Sequence, residues 1–200
     1  MKVLIVSEGA SELGTAEHAG ALSVLVSRLR NGDEFEFKSI TVRHPDLVRV
    51  HVKGEGGMFK KAVSCLRYAE KHGFEAMVFV VDQDSEKYRH RRLEISKAQE
   101  SSMFAGVRRA MGVAVLTFDA WILACEVGLS RAVGRTVGTQ RDPETIADAK
   151  GHCERLRREH GCEMGMAEFY TLVAGHARLE IWEQRCGDGF GVFAERVRAM

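Results

Sequence analysis

Residues 76–84 read AMVFVVDQD, six apolar residues running straight into two acids. Such a run, without polar alternation, is how a strand buried on both faces of a parallel sheet reads. The same signature opens the chain, where Val3–Val6 runs into Ser7-Glu8-Gly9. Between these two strands the pattern turns helical from Ser11, with Leu13, Ala16, Leu22, Leu25, Val26 and Leu29 at mostly three- and four-residue spacing, until Asn31-Gly32 closes it. Phe35–Val42 then alternates in part and stops at His44-Pro45, which predicts a second strand, and Leu47–Val52 places Val48, Val50 and Val52 on one face of a further extended stretch. The turn Gly54-Glu55-Gly56-Gly57 opens a helix from Met58 to about His72.

Beyond residue 84, a polar stretch and a helix to about Met111 precede a last strand, Val113–Phe118, which leads into Asp119 and the apolar helix AWILAC. Strands alternating with helices predict an α/β fold, a mainly parallel sheet covered on both faces. After Gly128 the chain becomes polar and strand-free, and three or four short helices are expected (about 143–159, 166–173, 176–185 and 190–198). The expected organisation is an α/β unit over 1–127 and a helical extension over 128–200, packed on the same core.

The chain has 200 residues, 45% of them hydrophobic, which excludes a disordered or fibrous protein and allows a core without staples. Five cysteines, odd in number and without a CxxC pair, argue against a disulfide framework and fit a reducing cytoplasm. His152, Cys153, His160 and Cys162 match no recurrent zinc spacing. The apolar run at the start is too short for a signal peptide, and no stretch reaches membrane-spanning length. Lys+Arg 29 against Asp+Glu 28 leaves a net charge of +1, so a polyanion must be met by a local patch.

In a parallel α/β sheet, ligands collect where the strands end. The predicted strand ends deliver Glu8, then Asp82 and Asp84, then Asp119, with Glu12 in the first turn after Ser11. If the strand stays extended, Asp82 and Asp84 share a face about 7 Å apart, within reach of one or two divalent ions. Clustered carboxylates repel one another unless cations neutralise them, and an all-oxygen set suits Mg²⁺ or Mn²⁺ better than zinc. The structural alternatives are that Asp119 caps the helix that follows it and that Glu12 favours a helix dipole.

Glu8-Gly9 after a first buried strand, followed by Glu12, with Asp82-x-Asp84 after a later one, resembles the Toprim catalytic domain of topoisomerases, DnaG-type primases and OLD-family nucleases. The order IVSEGASE, KGEGGMFKKA, VFVVDQDSE, FDAWILA, RDPETIADAK and CGDGFGVFAERVRAM is similar, over nearly the whole chain, to small bacterial Toprim-like proteins that resemble nuclease subunits found beside ATPases in phage-defence contexts. The resemblance implies a Mg²⁺-dependent phosphodiester reaction, with Glu8 as general acid/base or metal ligand and Asp82 and Asp84 as ligands. It also implies nucleic acid as substrate, DNA ahead of RNA, with a separate ATPase and a second copy of the chain as candidate partners. One departure is Asp119, where the family commonly has Glu. Hydrolysis is the expected member of this reaction set, because strand passage and polymerisation need further domains. A non-catalytic Toprim-like regulatory subunit of an ATPase complex is the alternative, and hydrolysis of small phosphate esters a third reading.

Cations for a phosphate backbone follow the acids in Lys87, Arg89, Arg91 and Arg92, a run that also reads as a solvated surface. Lys60, with Lys61 beside it, is a candidate for neutralising transition-state charge. The segment GEGGMFKK lacks P-loop spacing, so ATP hydrolysis by this chain is not expected.

Overall fold

The computed structural model describes residues 1–14 and 19–200. Four strands, β1 (Lys2–Ser7), β2 (Glu36–Thr41), β3 (Ala76–Asp82) and β4 (Arg108–Ala114), form an all-parallel sheet in the order β2-β1-β3-β4. Helices α1 (Ala21–Leu29), α2 (Gly57–Lys71) and α3 (His90–Glu100) are followed by α4 (Phe118–Leu123) and α5 (Glu126–Val133). The polar region then carries α6 (Ala149–Glu159), α7 (Met166–His176), α8 (Leu179–Arg185) and α9 (Val192–Ala199).

The two-residue period of each strand sorts its side chains into two cores. Val3, Ile5, Val78 and Val80 face one side, where α1 and the helices from α4 onward cover them. Leu4, Val6, Met77, Phe79 and Val81 face the other, beneath α2 and α3. An apolar run with no alternation is therefore required of β1 and β3, the two central strands. On the first side the carboxyl-terminal helices contribute Phe169, Trp182, Phe190, Phe193 and Val197 to the same cluster as β1 and β3, and Trp121 stacks on Phe193 with ring centroids 5.6 Å apart. Phe193 also lies against β4, where a Cβ on Gly112 would sit 3.0 Å from its Cβ and ring, so a larger residue at that strand position would have to push the ring aside.

Three expectations need correction. The last strand is Arg108–Ala114, not Val113–Phe118, and Phe118 instead begins α4. Charge hid the strand's start: Arg109 is buried, and its guanidinium donates to the carbonyls of Ala98, Ser101, Met103, Phe104 and Val107, tying the preceding turn to the sheet. Leu47–Val52 is not a strand. Turns closed by His44 N–H to Thr41 and Leu47 N–H to His44 carry it off the sheet edge onto α2, where Val50 N–H bonds Ser64 Oγ and Val48 stays 54% exposed. Finally, α1 starts at Ala21, not near Ser11. Residues 11–13 form a turn, Leu22 N–H bonds the Glu12 carbonyl, and Ala16 falls outside the described residues.

Because Phe193 joins the last helix to the sheet, Phe193→Ala should cost about 3–5 kcal/mol. Urea unfolding followed by circular dichroism and by the emission of Trp121 and Trp182 should move together in one transition. Early loss of tryptophan signal alone would mean that the helical region unfolds independently.

Candidate functional site

Strand order reverses direction between β1 and β3: the chain leaves β1 for β2 on one side and returns to β3 on the other. Loops diverge at such a point and leave a crevice at the carboxyl ends of the strands. Glu8 and Asp82 stand on either side of it, and Glu8 Oε2 accepts the Asp82 backbone N–H at 3.2 Å. The register that aligns Ser7 with Val80 sets this meeting.

Asp82 is the last residue of β3, and its Oδ1 accepts the Phe118 N–H at 2.8 Å, linking the β3 end to the start of α4. Glu12 is 7% exposed and accepts from Ser7 Oγ at 3.1 Å. Asp119, also 7% exposed, is not a helix cap. Thr117 occupies that position, and the Asp119 carboxylate receives the hydroxyl of Tyr170 from α7.

These acids act on one another. Burial, then the charge of Glu12, then those of Asp119 and Glu8, push the Asp82 carboxyl up to about 8, against the opposing effect of the Phe118 N–H. Burial and Asp119 raise Glu12 in the same way. Glu8, Glu12, Asp82 and Asp119 thus form one electrostatic cluster, gathered from the ends of β1, β3 and β4.

Among the described residues, Asp84 joins the other acids only through Arg91, whose Nη1 lies 2.6 Å from Asp84 Oδ2 and 3.6 Å from Glu8 Oε2. The extended conformation ends at Asp82, so the shared face expected for the two aspartates is not formed. Asp84 has φ +66°, its N–H bonds the carbonyl of Leu116, itself at φ +58°, and its exposed carboxylate pairs with Arg91 at 2.6 Å. Two non-glycine residues in the left-handed region within one loop pair are backbone strain stored beside the acids. Gln83, between Asp82 and Asp84, is fully buried, and its Oε1 has no partner among the described residues.

The basic run divides. Arg91 turns inward, donating to the Asp82 carbonyl at 2.5 Å and to Asp84, with Glu8 Oε2 at 3.6 Å and the ring of Tyr88 beneath it at 4.7 Å. Arg92 pairs with Asp188 at 3.2 Å. Lys87 and Arg89 remain exposed, Arg89 lying 4.0 Å from Glu86. Lys60 faces a separate pocket after β2, away from the carboxylates.

The donor set is wholly oxygen, which suits a hard divalent cation. Each carboxylate spends an oxygen on a protein donor, and among the described residues no three His, Cys, Asp or Glu side chains are grouped closely enough to hold a metal as they stand. The fit to a cation would be one of charge: Asp82, where burial and the neighbouring acids hold a proton to about pH 8, would release it to a divalent ion. Tyr170 is the site residue that local sequence reading missed. It lies 51 residues from Asp119, in an apolar helix with no motif around it.

Between the ordinary aspartate value and about 8, the folded chain holds a proton at Asp82 that the unfolded chain releases. Stability should therefore fall as pH rises through that window and level off above it. In EDTA, Asp82→Asn should remove the Asp82 part of this dependence and leave the smaller part from Glu12, its advantage over wild type growing from pH 4 to pH 8 to a few kcal/mol. A pH-independent difference in urea midpoints would refute the raised value. Tyr170→Phe, which strands a buried carboxylate oxygen, should cost about 1–3 kcal/mol by the same measurement.

Comparisons with protein-family models, with curated proteins and with solved structures return no match, so the chemistry of this site is argued from its own residues.

Proposed function

We propose that the chain is a Mg²⁺- or Mn²⁺-dependent hydrolase of phosphodiester bonds in nucleic acid, DNA ahead of RNA. The observation that carries this reading is the gathering of Glu8, Glu12, Asp82 and Asp119 at the switch point of a parallel sheet, where burial first and like charge second raise Asp82 and Glu12. Repulsion of that kind costs stability in the absence of a cation, and an all-oxygen set at a ligand-collecting crevice suits a phosphate-bound divalent ion.

Glu8, Asp82 and Asp119 would hold the ion, with Glu12 reinforcing their charge from behind through its contact with Ser7. When bound, the ion supplies polarisation of the phosphoryl oxygen and charge stabilisation of the leaving oxygen. Glu8, at the mouth of the crevice and only partly buried, is placed to take or return a proton. Arg91, held by the Asp82 carbonyl, presents a fixed positive charge beside these acids, where an incoming phosphate would lie. Lys87 and Arg89 extend that charge outward along the loop.

An ATPase partner and a phage-defence role enter this reading only through the resemblance. The non-catalytic alternative is favoured by one observation: Arg91 already brings a positive charge to Glu8 and Asp84, in part doing what a metal would do.

Purified protein with Mg²⁺ or Mn²⁺ should cut plasmid or single-stranded DNA, and Glu8→Ala and Asp82→Ala should each lower the rate by about 10²-fold or more. Equal cleavage by wild type and variants would identify a contaminant and overturn the assignment. Calorimetric Mn²⁺ titration separates the alternative, since a regulatory subunit would show no Asp82-dependent heat in the millimolar range.

A further inference from the structure

A second concavity lies on the same edge of the sheet, one strand over from the acids. After β2, the segment from Val42 to His51 folds back over the first turns of α2 and borders a half-open cavity of about 640 Å³. Ser64 fixes this fold-back, its hydroxyl donating to the Lys60 carbonyl at 2.8 Å and accepting Val50 N–H at 3.2 Å. Val42 N–H bonds the carbonyl of Ser7, the residue before Glu8, so the cavity and the acid cluster hang from adjacent strand ends.

Arg43, Arg49, Lys60 and Lys61 line the cavity together with two histidines, and no Asp or Glu does. Most other arginines beside the candidate site are paired: Arg91 with Asp84, Arg92 with Asp188, Arg89 with Glu86. Among the described residues, none of the four cavity cations has an acidic partner within 4.0 Å. Four fixed like charges around one hollow repel one another, and an anion entering it would relieve that repulsion.

The anion is not drawn in by the helix itself. Glu94 from α3 already occupies the N-terminus of α2, accepting Met58 N–H at 2.7 Å and Phe59 N–H at 3.2 Å. Its approach is so close that a Cβ on Gly56 would meet Glu94 Oε1 at 2.1 Å. Binding must therefore come from the side chains, two guanidinium forks and two ammonium groups, a set suited to a multiply charged phosphate. Val42, Leu47 and Val50 add apolar wall, and the volume falls within the 300–1,000 Å³ usual for small-ligand sites. A hollow of that size admits one nucleotide unit and not the side of a duplex.

We infer that this pocket binds the phosphate monoester of a nucleotide, either free or at the end of a single strand. The identification of the ligand as a nucleotide rests on the hydrolase reading of the neighbouring acids; the capture of a phosphate rests on the cavity alone. In the strand-end case, the pocket would seat the terminal phosphate while the next linkages cross toward Glu8 and Asp82.

The test is equilibrium binding in EDTA, which removes catalysis. The probes are a 3′-fluorescein hexadeoxynucleotide carrying a 5′-phosphate, the same strand with a 5′-hydroxyl, and a nucleoside monophosphate as competitor. The phosphorylated strand should bind at least tenfold tighter than the hydroxyl strand, or the monophosphate should compete at equal concentration; the first outcome assigns the strand end, the second the free nucleotide. The exposed double change Arg49→Gln with Lys61→Gln should weaken the preferred ligand about tenfold or more, with an unchanged circular dichroism melt. Glu8→Ala should bind as wild type does, so loss of cleavage without loss of binding separates the two readings. Equal affinity for phosphorylated and hydroxyl strands without monophosphate competition, or binding unaffected by the double change, would overturn the proposal.

Discussion

The pairing of β1 with β3 is the constraint from which the site follows. Both strands are buried on both faces, and their register runs from Val3 opposite Ala76 to Ser7 opposite Val80. The next positions cannot continue the ladder, because the chain must leave the sheet in opposite directions to reach β2 and α3. Glu8 and Asp82 are the residues left at that divergence, and the carboxylate of one accepts the backbone N–H of the other. A slip of one residue would turn Leu4 and Val6 onto the wrong core and carry Glu8 away from Asp82. Core packing and site geometry are thus fixed by the same pairing.

How much of this was legible in the sequence depends on where each interaction is encoded. The buried strands announced themselves, since Val3–Val6 and Ala76–Val81 carry no polar residue to suggest another environment, and the α/β class followed. Glu8 and Asp82 could be placed beside each other for the same reason, as the first acids after the two buried strands, whereas Asp119 was reached from an expected strand end at Phe118 that lies instead at Ala114. The start of β4 was not. An arginine normally signals exposure, and Arg109 could be read as part of a strand only by knowing that the turn after α3 offers it carbonyls. Leu47–Val52 failed in the opposite sense. It has the alternation of a strand, but the turns at His44 and Leu47 carry it away from the open edge of β2 onto α2, where Ser64 supplies one bond in place of a ladder. The bond from Tyr170 to Asp119 joins residues from the two halves of the chain, a distance at which no spacing rule operates.

The net charge of +1 looks, from composition, like indifference to a polyanion. The fold resolves it into two regions on neighbouring strand ends. Acids that, with burial, raise the proton affinity of Asp82 and Glu12 collect at the ends of β1, β3 and β4, and cations without an acidic partner among the described residues collect after β2. Arg91 lies within the acidic region and not among those cations, so the basic run 87–92 is less of a free surface than its composition suggests.

The arrangement also bears on why the loops here tolerate strain. Asp84 and Leu116 both sit in the left-handed region, and each is held by the bond between Asp84 N–H and the Leu116 carbonyl. That bond and the neighbouring one from Gln83 N–H to Ala114 lock the ends of β3 and β4 together just past the sheet. With those ends locked, Phe118 N–H is presented to Asp82 and α4 begins where Asp119 can meet Tyr170. The cost of two unfavourable conformations, on the order of 1–3 kcal/mol each, is offset by burial of the aromatic cluster around Trp121 that α4 completes. A relaxed loop would save that cost but free α4 to rotate, separating Asp119 from Asp82 and dispersing the acids gathered at this edge of the sheet.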